Sequence, residues 1–294
     1  LRPLTRILNF SSVVSELSRP KLSSGIVLSA VTGYLIGRPQ PGPGLLLLIP
    51  GIFLISAGSS ALNQFTERAL DALMARTGNR PLPAGKISPG GALLTSIILV
   101  LAGVTLLFFT GALPALLGIL NLFLYNYLYT GLKRKTPLAL LPGGLVGAVP
   151  PLIGYSASGN TEALGTILSF ALFMFLWQLP HFWLIAIKYD EDYRNAGYKF
   201  IRYPVSKRNK KMLVFAWIVI TTFFLAVLPP AGLFFNGPMR ILLLVFNVMF
   251  IFLFYLSLFS EKGELLSKHS FALVNSFGVI VMIFFIINSL ISNI

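Results

Sequence analysis

Long, uninterrupted apolar runs divide this chain and constrain its fold more than any other feature. They recur at about 23–37, 43–62, 92–112, 114–130, 138–157, 164–187, 212–230, 241–260 and 270–291. Each is long enough, or nearly so, to cross a hydrocarbon core as a helix of about 20 residues. A spanning segment must satisfy its own backbone hydrogen bonds, which leaves helices or a closed barrel. Barrel strands would alternate in polarity over about ten residues, and these runs are continuous. The expected fold is an all-α integral membrane protein, a bundle of about nine transmembrane helices with cytoplasmic polar cap loops. One transmembrane domain over residues 1–294 is expected, with polar loops at about 63–91 and 188–211. With 55% hydrophobic and 11% charged residues, the chain lies far from the composition of a soluble domain.

The net charge of +14 raises the question of a nucleic-acid partner, and its distribution answers it. Numbered from an inside N-terminus, the basic groups fall in every second loop. Arg2, Arg6, Arg19 and Lys21 precede the first run; Arg68, Arg76, Arg80 and Lys86 follow the second; Lys133, Arg134 and Lys135 follow the fourth; a further basic group occupies 188–211. Arg38 and Arg240 fall on the other side. This is the positive-inside pattern, so the chain is expected in a cell membrane or its equivalent, in contact with lipid, its polar loops cytoplasmic, and with no nucleic acid. The first apolar run begins at Pro20-Lys21 without an evident small-residue cleavage site, so it is expected to be a retained span. The absence of cysteine excludes disulfides, thiolate metal sites and covalent haem attachment.

One polar stretch, residues 63–88, organises the functional reading. Asn63, Glu67 and Asp71 fall at i, i+4 and i+8, so a helix continuing through them would carry all three oxygen-bearing side chains on one face. Arg76, Arg80 and Lys86 follow on a segment broken by Gly78, Pro81, Pro83 and Gly85, and can fold back over the carboxylates. The small residues Ala57 to Ala61 just before Asn63 leave room for a substrate beside the helix. A second acidic group, Asp190, Glu191 and Asp192, lies in the other large polar loop, flanked by Arg194, Lys199 and Arg202. Carboxylates gathered beside a membrane need compensation, and two groups converging from separate loops suit magnesium, a hard cation that bridges carboxylates to substrate phosphates. The alternative is that these acids pair with the abundant Lys and Arg nearby. The basic groups, in turn, are either a diphosphate clamp or the ordinary consequence of topology.

Other signals are weaker. The run at 138–157 contains Pro142-Gly143-Gly144 and Pro150-Pro151, so it is expected to be kinked or locally unwound. The last three spans, rich in Phe, Leu and Ile, are expected to face lipid. His181 in Trp177-Gln-Leu-Pro-His181-Phe182 is either a haem or substrate contact or a buried histidine satisfied by a neighbouring carbonyl. Phe65, Tyr125, Tyr129, Trp177 and Trp183 either line a prenyl tunnel or simply pack. No role is expected for His269.

These residues resemble the UbiA superfamily of intramembrane prenyltransferases. The first motif of that family, Asn-x-x-x-Asp-x-x-x-Asp followed by Arg-Thr-x-x-Arg-Pro, is matched by Asn63-x-x-x-Glu67-x-x-x-Asp71 and Arg76-Thr77-Gly-Asn79-Arg80-Pro81. Tyr129-Thr-Gly-Leu-Lys133-Arg134-Lys135-Thr136-Pro137, Gly147-Ala-Val-Pro150-Pro151, Trp177-Gln-Leu-Pro180-His181-Phe182 and Asp192-Tyr193-x-x-Ala196-Gly197 are similar to its protoheme IX farnesyltransferase branch. The resemblance covers about 16–205. Glu67 departs from the usual Asp. Lys188-x-x-x-Asp192 replaces the Asp-x-x-x-Asp of many members, which leaves one or two magnesium ions open.

The resemblance implies transfer of a farnesyl group from farnesyl diphosphate to a vinyl group of haem b (protoheme IX), with addition of water. It implies Mg2+ held by Asn63, Glu67, Asp71 and Asp192, with Lys133 among the catalytic residues. Diphosphate would be bound by Arg68, Arg76, Arg80, Lys86, Lys133 and Arg134, and the acceptor contacted by His181, Trp177 and Tyr129. An aromatic prenyltransferase of quinone biosynthesis is the nearest alternative; a transporter with a midplane site is a more distant one.

Overall fold

The structure is a computed structural model that describes residues 11–198, 206–227, 237–259 and 265–291. All of its regular elements are helices among the described residues. After a short helix α1 at 11–18 come α2 (Pro20–Gly37), α3 (Pro43–Asp71), α4 (Pro89–Thr110) and α5 (Ala112–Phe123). A π-helical stretch, Leu124–Tyr129, joins α5 to the single turn α6 (Thr130–Leu132). Then follow α7 (Leu140–Ala157), α8 (Leu164–Lys188), the short α9 (Asp190–Asn195), α10 (Lys207–Val227), α11 (Gly237–Phe259) and α12 (Leu265–Ile291).

Eight described helices are long and apolar enough to span a membrane. The remaining candidate, α2, has 18 residues but is diluted by Gly, Ser and Thr, and it is buried along its second half. It packs against α3, α7 and α12, while α8 packs against α7, α10 and α12, so α2 and α8 hold the two sides of the bundle together.

Small residues decide how closely the first helices approach. The Ser56 hydroxyl donates to Ser23 Oγ at 3.1 Å, and Ser96 on α4 donates to the Gly58 carbonyl at 2.8 Å. A side chain at Gly58 would meet the Ser96 carbonyl and Val100. The small run before Asn63 therefore does not open the expected substrate space at Gly58; it is consumed by close α3–α4 packing of the kind membrane helices use.

α7 is not unwound at its prolines: its helix runs through Pro142, Pro150 and Pro151 without interruption. The Pro151 backbone lies directly against Gly33 of α2, and Gly154 lies against the Ala30 carbonyl. Neighbouring helix backbone thus closes over the positions where proline removes an amide donor.

α10, α11 and α12 expose large apolar side chains such as Phe223, Phe252 and Val248, which suits a lipid-facing surface. They also contribute to a buried aromatic cluster. Phe250 stacks on Phe277 at 4.0 Å, and Phe285 meets Phe170 of α8 at 4.7 Å between ring centroids.

A smaller apolar cluster of Leu17, Ala61, Leu82 and Ala92 seats the 72–88 loop and α1 at the polar end of α3. Gln64 ties α1 down through Nε2, which donates to the Leu17 carbonyl at 2.9 Å. Gln64→Leu strands that carbonyl, a penalty of about 1–3 kcal/mol, and is expected to speed amide hydrogen exchange over 11–18 while leaving α3 unchanged.

Candidate active site

α3 does not stop where its apolar run ends. It continues to Asp71, so Asn63, Glu67 and Asp71 occupy successive turns of one face, at 4%, 3% and 1% exposure. Buried carboxylates at a membrane boundary require partners, and the structure supplies them from three separate segments.

The first is the 72–88 loop. The Thr77 hydroxyl donates to the Asp71 carbonyl at 2.9 Å, which turns the chain back on the helix it has just left. Arg80 then returns to the Asp71 carboxylate, its Nη1 donating to Oδ2 at 2.7 Å.

The second segment is α9. Asp192 accepts the backbone amides of Ala75 at 3.3 Å and Arg76 at 3.2 Å, which binds the second acidic loop to the first. Arg76 lies over the rings of Tyr189 and Tyr193, 4.7 and 5.7 Å from their centroids, and donates through Nη2 to the Tyr193 hydroxyl at 3.3 Å. Its Nε is buried without a hydrogen-bond partner among the described residues.

The third is the turn after α6. Lys133 forms a buried ion pair with Glu67 Oε2, and Asn63 Nδ2 donates to the same oxygen at 3.2 Å. The Tyr198 hydroxyl donates to Glu67 Oε1 at 2.8 Å, and Arg134 Nη2 stands 3.9 Å from that oxygen. Burial, and then the negative charge of Glu67, push the Tyr198 phenol well up from its ordinary value, so it remains a protonated donor.

Several residues of the expected set stand apart from this cluster. Arg68 is exposed and folds onto Phe65, 4.7 Å above its ring, with Nη1 donating to the Phe65 carbonyl. Lys86 pairs with Glu16 of α1 at 2.7 Å. Arg134 reaches the Thr66 carbonyl at 3.2 Å and touches the cluster only at its edge. Asp190 pairs with Arg194 at 3.1 Å and Lys210 at 3.5 Å, and Glu191 is exposed, so Asp192 is the acid of its group that joins the loop after α3. Lys199 and Arg202 lie outside the described residues.

The expected acceptor residues form one aromatic run. Trp177 meets His181 at 5.3 Å, His181 meets Phe182 at 5.8 Å, and Phe182 stacks on Tyr129 at 5.4 Å. Tyr129 faces the Lys133 ammonium at 5.3 Å. His181 Nδ1 is buried without a hydrogen-bond partner among the described residues, and Trp177 Nε1 donates to the Val274 carbonyl at 2.8 Å. The run thus leads from the polar cluster into the bundle.

Hard oxygen donors are the right chemistry for magnesium, which commonly takes one or two carboxylates together with substrate phosphates. The donors divide unequally here. Both oxygens of Glu67 are engaged by Lys133, Asn63 and Tyr198. Among the described residues Asp71 uses Oδ2 for Arg80, and Asp192 accepts one backbone amide at each oxygen, with no cation paired to it. Asn63 spends its nitrogen on Glu67 and on Thr130 Oγ1 at 3.0 Å, which leaves its carbonyl oxygen. Asn63 and Asp71 lie two turns, about 12 Å, apart along the axis, so one ion cannot touch both. Among the described residues no three His, Cys, Asp or Glu side chains gather closely enough to hold a metal. Of the expected donors, Asp71 and Asp192 both border the 72–77 turn.

A cluster of cations over buried carboxylates, at one end of a helical bundle and continuous with an aromatic run, is suited to holding a phosphorylated head group beside an apolar tail. Residues 26–277 match the model of the UbiA prenyltransferase family. The chain belongs to this family. It is an integral membrane prenyltransferase.

Relatives within the family are similar over most of their length. The chain is 37% identical to the protoheme IX farnesyltransferase of Geobacter sulfurreducens, over 74% of this chain and 80% of that one. It is 36% identical to that of Aquifex aeolicus, over 88% and 89%, and 31% identical to that of Christiangramia forsetii, over 95% and 96%. Among solved structures, a digeranylgeranylglyceryl phosphate synthase superposes with a TM-score of 0.73 at 20% identity, covering 95% of this chain and 98% of that one. A UbiA homologue from Archaeoglobus fulgidus bound to GPP and Mg2+ superposes with a TM-score of 0.69 at 16% identity, covering 93% and 99%. At those identities the structures establish the shared UbiA fold.

Tyr198, Thr130 and Gln64 belong to the polar assembly, and no spacing in the sequence points to them. Only the bulk of Tyr198 beside Gly197 hints at a turn that returns a side chain.

Proposed function

We propose that this chain transfers the farnesyl group of farnesyl diphosphate to a vinyl group of protoheme IX, with addition of one water, giving haem O and diphosphate. The observation that carries this reading is the 31% identity to a protoheme IX farnesyltransferase over 95% of this chain and 96% of that one. The cluster at the end of α3 supports it chemically.

In this reading Asp71 and Asp192 would hold magnesium at the diphosphate; a UbiA homologue from Archaeoglobus fulgidus is bound to GPP and Mg2+. The ion supplies neutralisation of diphosphate charge. Arg76 and Arg80 bind the diphosphate oxygens by forked hydrogen bonds, and Lys133 adds a point charge. As the allylic carbon–oxygen bond ionises, negative charge grows on the leaving diphosphate, and these cations, already fixed in place, stabilise it most at that moment. Tyr129, Phe182 and the neighbouring rings keep bulk water from the allylic cation and present their faces to it. His181 and Trp177 contact the acceptor and hold its vinyl carbon within reach. The basic distribution supports a cytoplasmic orientation for this end of the bundle.

An aromatic acceptor is the competing reading. Purified protein supplied with Mg2+, farnesyl diphosphate and an equal mixture of haem and an aromatic acid is expected to yield the farnesylated haem by mass spectrometry. Product formed on the aromatic acid alone would defeat the haem assignment. Arg76→Ala is expected to raise KM for farnesyl diphosphate about tenfold, in line with the roughly 1.5–3 kcal/mol of a charge-assisted hydrogen bond, read from initial rates.

A further inference from the structure

Glu67 occupies the centre of the family's first acidic motif, yet its surroundings are those of a saturated counter-ion. Its Oε2 receives Lys133 and the Asn63 amide nitrogen, and its Oε1 receives Tyr198. Glu67 is 3% exposed and Lys133 8%. The Lys133 ammonium is enclosed by rings on two sides, 5.3 Å from the Tyr129 centroid and 5.5 Å from that of Tyr198.

The supports of this pair are built in turn by the local backbone. At the end of the π-helical stretch the Tyr125 carbonyl accepts both the Thr130 amide and, at 2.8 Å, the Thr130 hydroxyl, and Thr130 Oγ1 accepts the Asn63 amide that reaches Glu67. Gly197, with φ at +77°, turns the chain after α9, and the Tyr198 amide donates to the Tyr193 carbonyl at 3.0 Å, which delivers the phenol to Glu67. A metal ion on Glu67 would compete with the Lys133 ammonium for this carboxylate, and displacing the ammonium would strand a buried cation.

We infer that Glu67 is the counter-ion that positions Lys133 under the diphosphate, that Tyr198 orients Glu67, and that Glu67 is not a ligand of the divalent ion. The diphosphate part of this inference rests on the function proposed above; the pairing itself does not. Tyr198 is a positioning residue, acting on Lys133 through Glu67.

The test uses the full chain purified in detergent, with Glu67→Gln, Lys133→Met, the double variant, Tyr198→Phe and Asp71→Asn. Each of Glu67→Gln and Lys133→Met is expected to lower Tm, and the double variant to recover most of the loss, because neither charge is then left alone. Additive losses in the double variant would overturn the pairing. Mn2+ titration, followed by the paramagnetic resonance of free Mn2+, is expected to show affinity reduced tenfold or more by Asp71→Asn and less than threefold by Glu67→Gln. An equal reduction by both would make Glu67 a metal ligand and overturn the inference. Tyr198→Phe is expected to lower kcat about tenfold with KM for farnesyl diphosphate nearly unchanged, a split that a merely structural role would not give; unchanged kcat would remove Tyr198 from the account. Absence of Mn2+ binding in the parent protein would instead defeat the metal reading of the proposed function, while the Tm comparison would still decide the pairing.

Discussion

Asp71→Ala is expected to lower turnover by about 1,000-fold while the protein still purifies as a folded bundle. Asp71 is 1% exposed, and its carboxylate is held by Arg80. In the function proposed above, removing it takes away a metal ligand and at the same time releases Arg80, which would no longer be held for the diphosphate. The fold is spared because the loop is anchored by backbone. Thr77 donates to the Asp71 carbonyl, which alanine also possesses, and Asp192 holds the Ala75 and Arg76 amides. Asp71→Asn separates charge from shape, since it keeps an acceptor for Arg80 and loses the negative charge. Turnover of Asp71→Asn within tenfold of the parent would show that the carboxylate charge is not what the site requires.

Gly154→Val is expected to be the most destabilising single change in the bundle, costing about 3 kcal/mol or more. A Cβ at Gly154 would fall on the Ala30 carbonyl, and one at Gly33 on the Pro151 carbonyl, so α2 and α7 touch through their backbones at both places. These obstructing atoms belong to helix backbone and cannot rotate away, unlike the end of a flexible side chain. Separating the two helices would also uncover the Pro150–Pro151 segment, whose continuity depends on close neighbours. The comparison is Gly25→Ala, where a Cβ meets nothing within 4 Å. Alanine there is expected to stabilise α2 by up to about 1 kcal/mol. Thermal unfolding in detergent, with the yield of monodisperse protein, checks both. A Gly154→Val protein as stable as the parent would refute backbone contact between the helices.

What the sequence revealed, and what it withheld, follows from the range of the interactions. The helical periodicity that puts Asn63, Glu67 and Asp71 on one face is a local property, and α3 carries it through to Asp71. The apolar runs likewise mark the spans, with α2 the ambiguous one because its Gly, Ser and Thr serve close packing and dilute its hydropathy. The charges in the loops gave no such guidance. Arg68, Arg80 and Lys86 stand in the same stretch, yet the first turns onto Phe65, the second onto Asp71 and the third onto Glu16. Those choices depend on how the 72–88 loop seats against Leu17 and Ala92, which no spacing expresses. The partnership of Glu67 with Lys133 and Tyr198 is set by how α3, the π-helical turn and α9 converge, and so lay beyond motif reasoning. For α7 the prolines led to the expectation of a kinked or locally unwound span; the helix is not unwound, and α2 lies against it backbone to backbone.

The central claim is that the diphosphate and its metal ion sit at the end of α3, between Asp71 and Asp192. The most direct measurement is a crystal of this protein grown with Mn2+ and a non-ionising thiolo analogue of farnesyl diphosphate, with the ion located by its anomalous scattering. The expected result is a peak within ligand distance, about 2–2.3 Å, of Asp71 or Asp192 oxygens, with the diphosphate reached by Arg76, Arg80 and Lys133. A peak elsewhere in the bundle, with the diphosphate away from these residues, would contradict the account.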